Sequence, residues 1–206
     1  MSWTALIPIK GSAERKTRLG HRLPCDRRVV LTERLLAHAI SVLDECSAIA
    51  EVRLLSDMPV ATWSRSIEPD QGQGLNAELR RFAGQWDGGR LLVLLPDLPF
   101  LSAEDISALL ARAEGGCAIA PDRHGRGTNA IALADPRGFP FSFGDDSFAI
   151  HLCLSGSAVH VVRRTGLAFD IDFPEDLDEA IAAEAPGLTP LSLRSPHWQI
   201  EQHASA

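Results

Sequence analysis

The chain lacks a basic excess. Its 20 Lys and Arg face 27 Asp and Glu, for a net charge of −7 with neutral histidines. General nucleic-acid binders carry the opposite balance, so no nucleic-acid partner is expected. No apolar stretch approaches the ~20 residues of a membrane-spanning helix, so no membrane partner is expected either. Met1-Ser2-Trp3-Thr4 leads straight into a strand-like segment without a secretion-signal pattern, and a cytoplasmic protein is the expectation. The four cysteines, Cys25, Cys46, Cys117 and Cys153, form no Cys-x-x-Cys pair. That argues against structural zinc and a disulfide framework, and for buried free thiols in a reducing compartment. The seven histidines show no metal-ligand spacing. There is no Gly-x-Ser-x-Gly, hence no support for a serine nucleophile. No Gly-Lys-Ser/Thr follows the first strand-like segment, so its basic loop is not a P-loop. Internal repeats and low-complexity linkers are also missing.

What is present is an ordinary globular composition, 45% apolar and 23% charged over 206 residues, enough for one domain with a sizeable core. Ala5 to Ile9, Val52 to Ser56, Leu91 to Leu95, Cys117 to Ala120, Ala130 to Leu133, Val159 to Val162 and Leu167 to Ile171 read as strands. Val29 to Leu43, Leu75 to Trp86, Ser102 to Ala113, Asp145 to Leu154 and the segment opening at Pro174-Glu175-Asp176 read as helices. Ser102-Ala103-Glu104-Asp105 is a capping box with Asp in place of Glu. Strands alternating with helices predict an α/β fold with a mostly parallel sheet flanked by helices. Residues 1–185 form the expected domain, and 186–206 a C-terminal tail, mobile or docked on a partner subunit. Leu191, Leu193, Trp198 and Ile200 of that tail could pack on a second subunit, making a homodimer, or cover the same chain's core.

Two acidic clusters end apolar runs. Leu91-Leu92-Val93-Leu94-Leu95 closes on Pro96-Asp97, and Leu167-Ala168-Phe169 closes on Asp170-Ile171-Asp172. Carboxylates at strand ends sit on the rim where open α/β sheets bind ligands. Three of them cannot all ionise cheaply at close range. A divalent cation resolves the repulsion, and Mg²⁺ suits a few carboxylates plus phosphate oxygens. Asp97, Asp170 and Asp172 are therefore the candidate metal ligands.

Four further elements could carry chemistry. Lys10, Arg15, Lys16 and Arg18 follow the first strand closely, as a phosphate-binding loop would, or as a solvated charged loop. Gln71-Gly72-Gln73-Gly74-Leu75-Asn76 could bring backbone close to a ligand, with Gln73 and Asn76 reading a base edge. In isolation, a structural turn and helix cap explains that stretch better. Pro121 to Asn129 holds two glycines, two arginines and Thr128 between short strands. A surface hairpin accounts for the glycines but not for the apolar run after it, which suggests a loop folded over the sheet. Phe143-Gly144-Asp145-Asp146-Ser147 places Ser147 at a helix start, where its hydroxyl could hold an anion.

Taken in order, Ile7-Pro8-Ile9-Lys10, Lys16-Thr17-Arg18-Leu19, Gly74-Leu75-Asn76-Ala77, Pro96-Asp97-Leu98-Pro99, Ala120 to Ala130, Phe143-Gly144 with Ser147-Phe148, and Asp170-Ile171-Asp172 with Pro174-Glu175-Asp176-Leu177 resemble the 2-phospho-L-lactate guanylyltransferase family of coenzyme F-420 biosynthesis. The resemblance covers about the first seven-eighths of the chain. It implies a single-domain nucleotidyltransferase fold of the glycosyltransferase-A, Rossmann-like kind. It also implies GTP as donor and a small phosphorylated carboxylic acid as acceptor: 2-phospho-L-lactate, phosphoenolpyruvate or 3-phospho-D-glycerate. Asp97, Asp170 and Asp172 would then hold Mg²⁺. Pro8, Lys10, Arg15, Lys16, Arg18, Gln73, Gly74 and Asn76 would bind the nucleotide. Asp97, Lys16 and Arg18 would act in catalysis, and Thr128, Gly144 and Ser147 would bind the acceptor. Phe173, where the family often has Thr, departs from the pattern and weakens a helix cap, and Glu14 adds an acid beside the triphosphate loop.

Rival readings are a glycosyltransferase using Asp170-Ile171-Asp172 as its Asp-x-Asp motif, a molybdopterin guanylyltransferase, and a nucleotide-binding module without catalysis. The first would carry its motif nearer mid-chain. The second would need a glycine-rich first loop. The third has no use for all three acids.

Overall fold

The computed structural model describes residues 2–9, 16–57, 66–155 and 159–189. Lys10, Arg15, Glu14 and the tail residues Leu191, Leu193, Trp198 and Ile200 lie outside them. Seven strands form one sheet in the order β3-β2-β1-β4-β6-β5-β7. They are β1 (Trp3–Ile9), β2 (Ile49–Ser56), β3 (Ile67–Pro69), β4 (Arg90–Leu94), β5 (Cys117–Pro121), β6 (Thr128–Leu133) and β7 (Val159–Val161). Every neighbouring pair is parallel except the two that β6 makes with β4 and β5. The expected α/β fold with a mostly parallel sheet is therefore the observed one.

Side chains alternate across the sheet with the two-residue period of a strand. Ala5, Ile7, Leu92 and Leu94 face Leu36, Ile40 and Leu43 of α1 (Cys25–Glu45) and Ile106 and Leu109 of α3 (Ala103–Ala113). Leu6, Leu91, Val93 and Ile131 face Leu79 and Phe82 of α2 (Leu75–Gln85), and Phe148 of α4 (Ser147–Ser155). Both faces are thus covered, and each buried Leu or Ile contributes ~1.5–3 kcal/mol. At the α3 start Ser102 Oγ accepts from the Asp105 N–H at 3.3 Å, and Asp105 Oδ2 accepts from the Ser102 N–H at 3.1 Å, as the sequence predicts.

Three expectations need correction. Leu167 to Ile171 is not a strand: Thr165–Ala168 is a short helix, α5, and the chain then runs extended without joining the sheet. A short apolar run cannot by its period distinguish the two. Gly166 explains the tight seat, since a Cβ there would lie 2.6 Å from the Phe100 carbonyl oxygen. The glycine-rich loop 122–127 is a β5–β6 hairpin connection after all. Its second strand is apolar because β6 lies inside the sheet, not because the loop folds over it. Finally, only Cys46 and Cys117 are buried, while Cys25 and Cys153 are exposed, and all four are free thiols.

The segment after α6 (Pro174–Ala182) starts docked. Pro186–Leu188 forms a 3-10 turn, and the Gly187 N–H donates to the Pro99 carbonyl at 2.8 Å. No helix among the described residues is long and apolar enough to cross a membrane.

Candidate active site

The strands β1, β2, β4 and β5 end at one rim of the sheet, and the antiparallel β6 begins there. The chain leaves β1 for β2 on one side and returns to β4 on the other, which opens a crevice at that rim. Asp97 follows β4 at this point. Asp170 and Asp172 reach it from the extended segment after α5. One carboxylate oxygen from each lies within 4.8 Å of the others.

The environment is hostile to three bare charges. Burial pushes the Asp170 carboxyl up to about 7, and the Asp97 and Asp172 carboxylates add to the rise. Burial also raises Asp172, again with help from Asp97. Asp97 Oδ1 is buried and accepts no hydrogen bond. A clustered donor set of hard oxygens, one of them without a partner, fits a divalent cation.

Two cations already lean on the cluster. Lys16 Nζ lies 3.0 Å from Asp97 Oδ2 and also donates to the Ile171 carbonyl. Its backbone is left-handed, with φ of 48°. That conformation costs a lysine ~1–2 kcal/mol, and such outliers gather at functional sites. Arg18 Nη1 lies 3.2 Å from Asp172 Oδ2 and its guanidinium sits 5.2 Å from the Phe173 ring centre. Arg18 is more than half exposed, so this pair by itself adds little stability.

Asn129, Arg123 and Asp176 hold the acids in place, and none of the three stood out as a site residue on sequence grounds. Asn129 Nδ2 donates to the Leu167 carbonyl at 3.0 Å and reaches Asp170 Oδ1 at 3.4 Å. Asp176 Oδ2 accepts from the backbone N–H groups of Asp172 and Phe173, at 2.9 and 2.7 Å. Phe173 cannot cap α6 with its own side chain, and Asp176 supplies the missing cap from inside the helix. Arg123 pairs with Asp176 in turn. The one advance signal was polar character at buried rim positions, such as Asn129 ahead of the apolar run of β6.

The turn before α2 serves first as structure. Glu78 Oε1 accepts from the N–H groups of Gln71 and Gln73, and Asp70 Oδ1 from that of Gly72. Gly74 takes φ of 87°, a conformation that favours glycine, and hands the chain to α2. Asn76 does not offer a free base-reading edge. Its Oδ1 accepts from the Phe143 N–H at 2.6 Å and its Nδ2 donates to the Phe143 carbonyl at 2.9 Å. The expected reader is a brace between this turn and the Phe143-Gly144 loop.

On the other side, Thr128 and Ser147 meet although they come from β6 and α4. Ser147 Oγ donates to Thr128 Oγ1 at 3.3 Å, and both residues are buried. Gly144, with φ of 128°, turns the chain so that its carbonyl accepts from the Ser147 N–H at 3.2 Å.

Two cavities flank the acids. One, of about 360 Å³, has Pro8, Lys16, Asp70, Leu75 and Pro96 in its wall. The other, of about 730 Å³, has Arg18, Arg126, Thr128, Gly144 and Ser147 in its wall. Asp97 and Asp172 line both.

The family model described as guanylyl transferase CofC like matches residues 3–190. The phosphoenolpyruvate guanylyltransferase of Sphaerobacter thermophilus is 38% identical over 202 residues, covering 90% of this chain and 95% of its own. That of Rubrobacter xylanophilus is 39% identical over 189 residues, covering 86% of this chain and 92% of its own. Among solved structures, the 2-C-methyl-D-erythritol 4-phosphate cytidylyltransferase of Thermus thermophilus matches with a TM-score of 0.60. It is 19% identical and covers 89% of this chain and 99% of its own, a likeness of fold alone.

Proposed function

Because the chain belongs to the CofC-like guanylyl transferase family, and is therefore a nucleotidyltransferase, we propose that it moves GMP from GTP to the phosphate of a small phosphorylated carboxylic acid and releases pyrophosphate. The acceptor favoured by the relatives' names is phosphoenolpyruvate, ahead of 2-phospho-L-lactate and 3-phospho-D-glycerate. We take this reaction to be a step of coenzyme F-420 biosynthesis, a reading that the sequence resemblance supports. The observation that carries this reading is the shared wall: Asp97 and Asp172 stand between two cavities, as a two-substrate transfer requires.

An acceptor phosphate oxygen attacks the α-phosphorus of GTP, and the bond to the α–β bridging oxygen breaks, so that pyrophosphate leaves with that oxygen. The attacking oxygen is already anionic near neutral pH, and no strong general base is needed. The barrier lies in bringing two polyanions into line, so positioning and charge neutralisation dominate. Mg²⁺ held by Asp97, Asp170 and Asp172 would supply charge neutralisation at the phosphates. Lys16 and Arg18 add fixed positive charge beside the same acids. The apolar walls Pro8, Leu75 and Pro96 suit a purine face, and Gly74 lets the backbone of the turn approach it. Thr128, Ser147 and Gly144 would hold the acceptor.

Pyrophosphate release with GTP and Mg²⁺, measured against each acid in turn, tests the proposal. Release with none of the three acids, despite GTP binding, would favour the non-catalytic nucleotide-binding reading.

A further inference from the structure

His151 lies on α4 four residues after Ser147, so both side chains share one face of that helix. The imidazole is fully buried, 6.0 Å from the Phe139 ring centre and 5.2 Å from that of Phe143. It ties α4 to β6 and to the chain just before Phe143 and Gly144 of the acceptor cavity wall. Nε2 accepts from the Ser142 backbone N–H at 2.9 Å, and Nδ1 faces Thr128 Oγ1 at 3.0 Å.

The partners dictate the tautomer. A backbone N–H can only donate, so Nε2 must be the bare nitrogen, and the neutral ring carries its proton on Nδ1. Nδ1–H therefore donates to Thr128 Oγ1. Between them, Thr128 and Ser147 own two hydroxyl protons, and their mutual hydrogen bond uses one. The other is left for the cavity that both residues line. A reversed imidazole would remove this surplus by drawing a hydroxyl proton to itself.

We propose that His151 is a positioning residue that fixes the Thr128–Ser147 pair as a hydrogen-bond donor to an anionic oxygen of the acceptor acid. Burial keeps the ring neutral, with its pKa lowered to about 4, in keeping with the Ser142 contact. The inference rests on the acceptor-side reading of Thr128 and Ser147 and deepens it. It also says what the pair offers at this point: a hydroxyl donor matched to a carboxylate or phosphate oxygen of the acid.

The test compares two variants in the full-length enzyme. In His151→Asn the Asn Nδ2 takes the place of imidazole Nδ1 and keeps the donor to Thr128. In His151→Gln the side chain reaches the Nε2 position and loses that donor. His151→Gln should raise the acceptor KM about ten-fold, a loss of one charged hydrogen bond, with GTP affinity by calorimetry unchanged. His151→Asn should stay within about three-fold of wild type by the same reasoning. In a Thr128→Val background the His151→Gln change should add nothing, because its effect runs through the hydroxyl that is gone. Equal losses for Asn and Gln, or additive losses with Thr128→Val, would overturn the proposal. An unchanged acceptor KM in Thr128→Val alone would instead overturn the acceptor-side reading beneath it. If His151→Gln does not fold, ¹⁵N spectra of the wild-type imidazole decide: a protonated Nδ1 that shifts with acceptor acid and not with GTP supports the proposal, and a protonated Nε2 sinks it.

Discussion

The backbone N–H of Ile171 donates to the carbonyl oxygen of Asp97 at 3.2 Å. That bond, with Lys16 Nζ bridging Asp97 Oδ2 and the Ile171 carbonyl, docks the Asp-Ile-Asp segment against the loop after β4. With Ile171 turned inward and fully buried, Asp170 and Asp172 flank the bond and meet Asp97. The site thus joins two segments distant in sequence, neither of them strand at that point, through one main-chain bond and the side chains around it.

Asp97→Asn and Asp172→Asn should each nearly abolish pyrophosphate release while circular dichroism shows a wild-type fold. Each change removes one carboxylate charge from the cluster and adds no bulk. Mg²⁺ should raise the melting temperature of wild type and not of either variant. Activity of both variants within a few-fold of the parent would remove the metal assignment.

Lys16→Met keeps the aliphatic stem and deletes the ammonium beside Asp97. Turnover should fall by about 100-fold or more, the range for losing a preorganised charge at a reacting phosphoryl group. A drop of only a few-fold would make Lys16 a structural counter-ion.

The cluster of Asp97, Asp170 and Asp172 was legible because acids closing apolar runs mark out both segments, and Lys16 and Arg18 were legible beside them. The local structure around Asp170 was not. Leu167 to Phe169 reads equally well as strand or helix, and the helix that forms seats Gly166 where a Cβ would meet the Phe100 carbonyl. Nor could the sequence show that β6 runs antiparallel, which is what brings Thr128 and Asn129 to the rim beside the ends of β4 and β5. Asn76 illustrates the same limit. Its carboxamide suits a base edge, but its observed partner is Phe143, chosen by tertiary packing.

GTP should be preferred over ATP. Asp70 lines the smaller cavity, and one of its oxygens already accepts the Gly72 N–H. A carboxylate matches the N1–H and amino donors of guanine, whereas adenine presents an acceptor at N1. Asp70→Asn should therefore narrow the GTP-to-ATP ratio of kcat/KM by about ten-fold or more, the cost of one mispaired buried group. An unaltered ratio would place base recognition elsewhere, and equal efficiency of wild type with both nucleotides would remove the guanylyl preference.

Thr128→Val and Ser147→Ala should raise the acceptor KM about ten- to a hundred-fold, since a hydrogen bond to a charged group is worth ~1.5–3 kcal/mol. GTP affinity should hardly move. A main loss on GTP binding would place the donor, not the acceptor, against these hydroxyls.

The buried His151 also predicts a pH dependence of stability. Burial lowers its pKa from 6.5 to about 4 in the folded protein, while the unfolded chain keeps the ordinary value. Between those values the unfolded state binds a proton that the native state refuses. Protonation therefore favours unfolding, and stability present above pH 6.5 is lost as pH falls toward 4. His38 pushes the same way, its pKa lowered by burial against the opposing Leu101 carbonyl contact. At pH 5 the loss through His151 amounts to about 2 kcal/mol. His151→Asn has no proton to gain there. The variant should melt below wild type at pH 8, and the gap should close by several degrees at pH 5. Parallel melting curves across that range would mean that His151 titrates normally, in a site wetter than its contacts with Phe139 and Phe143 describe.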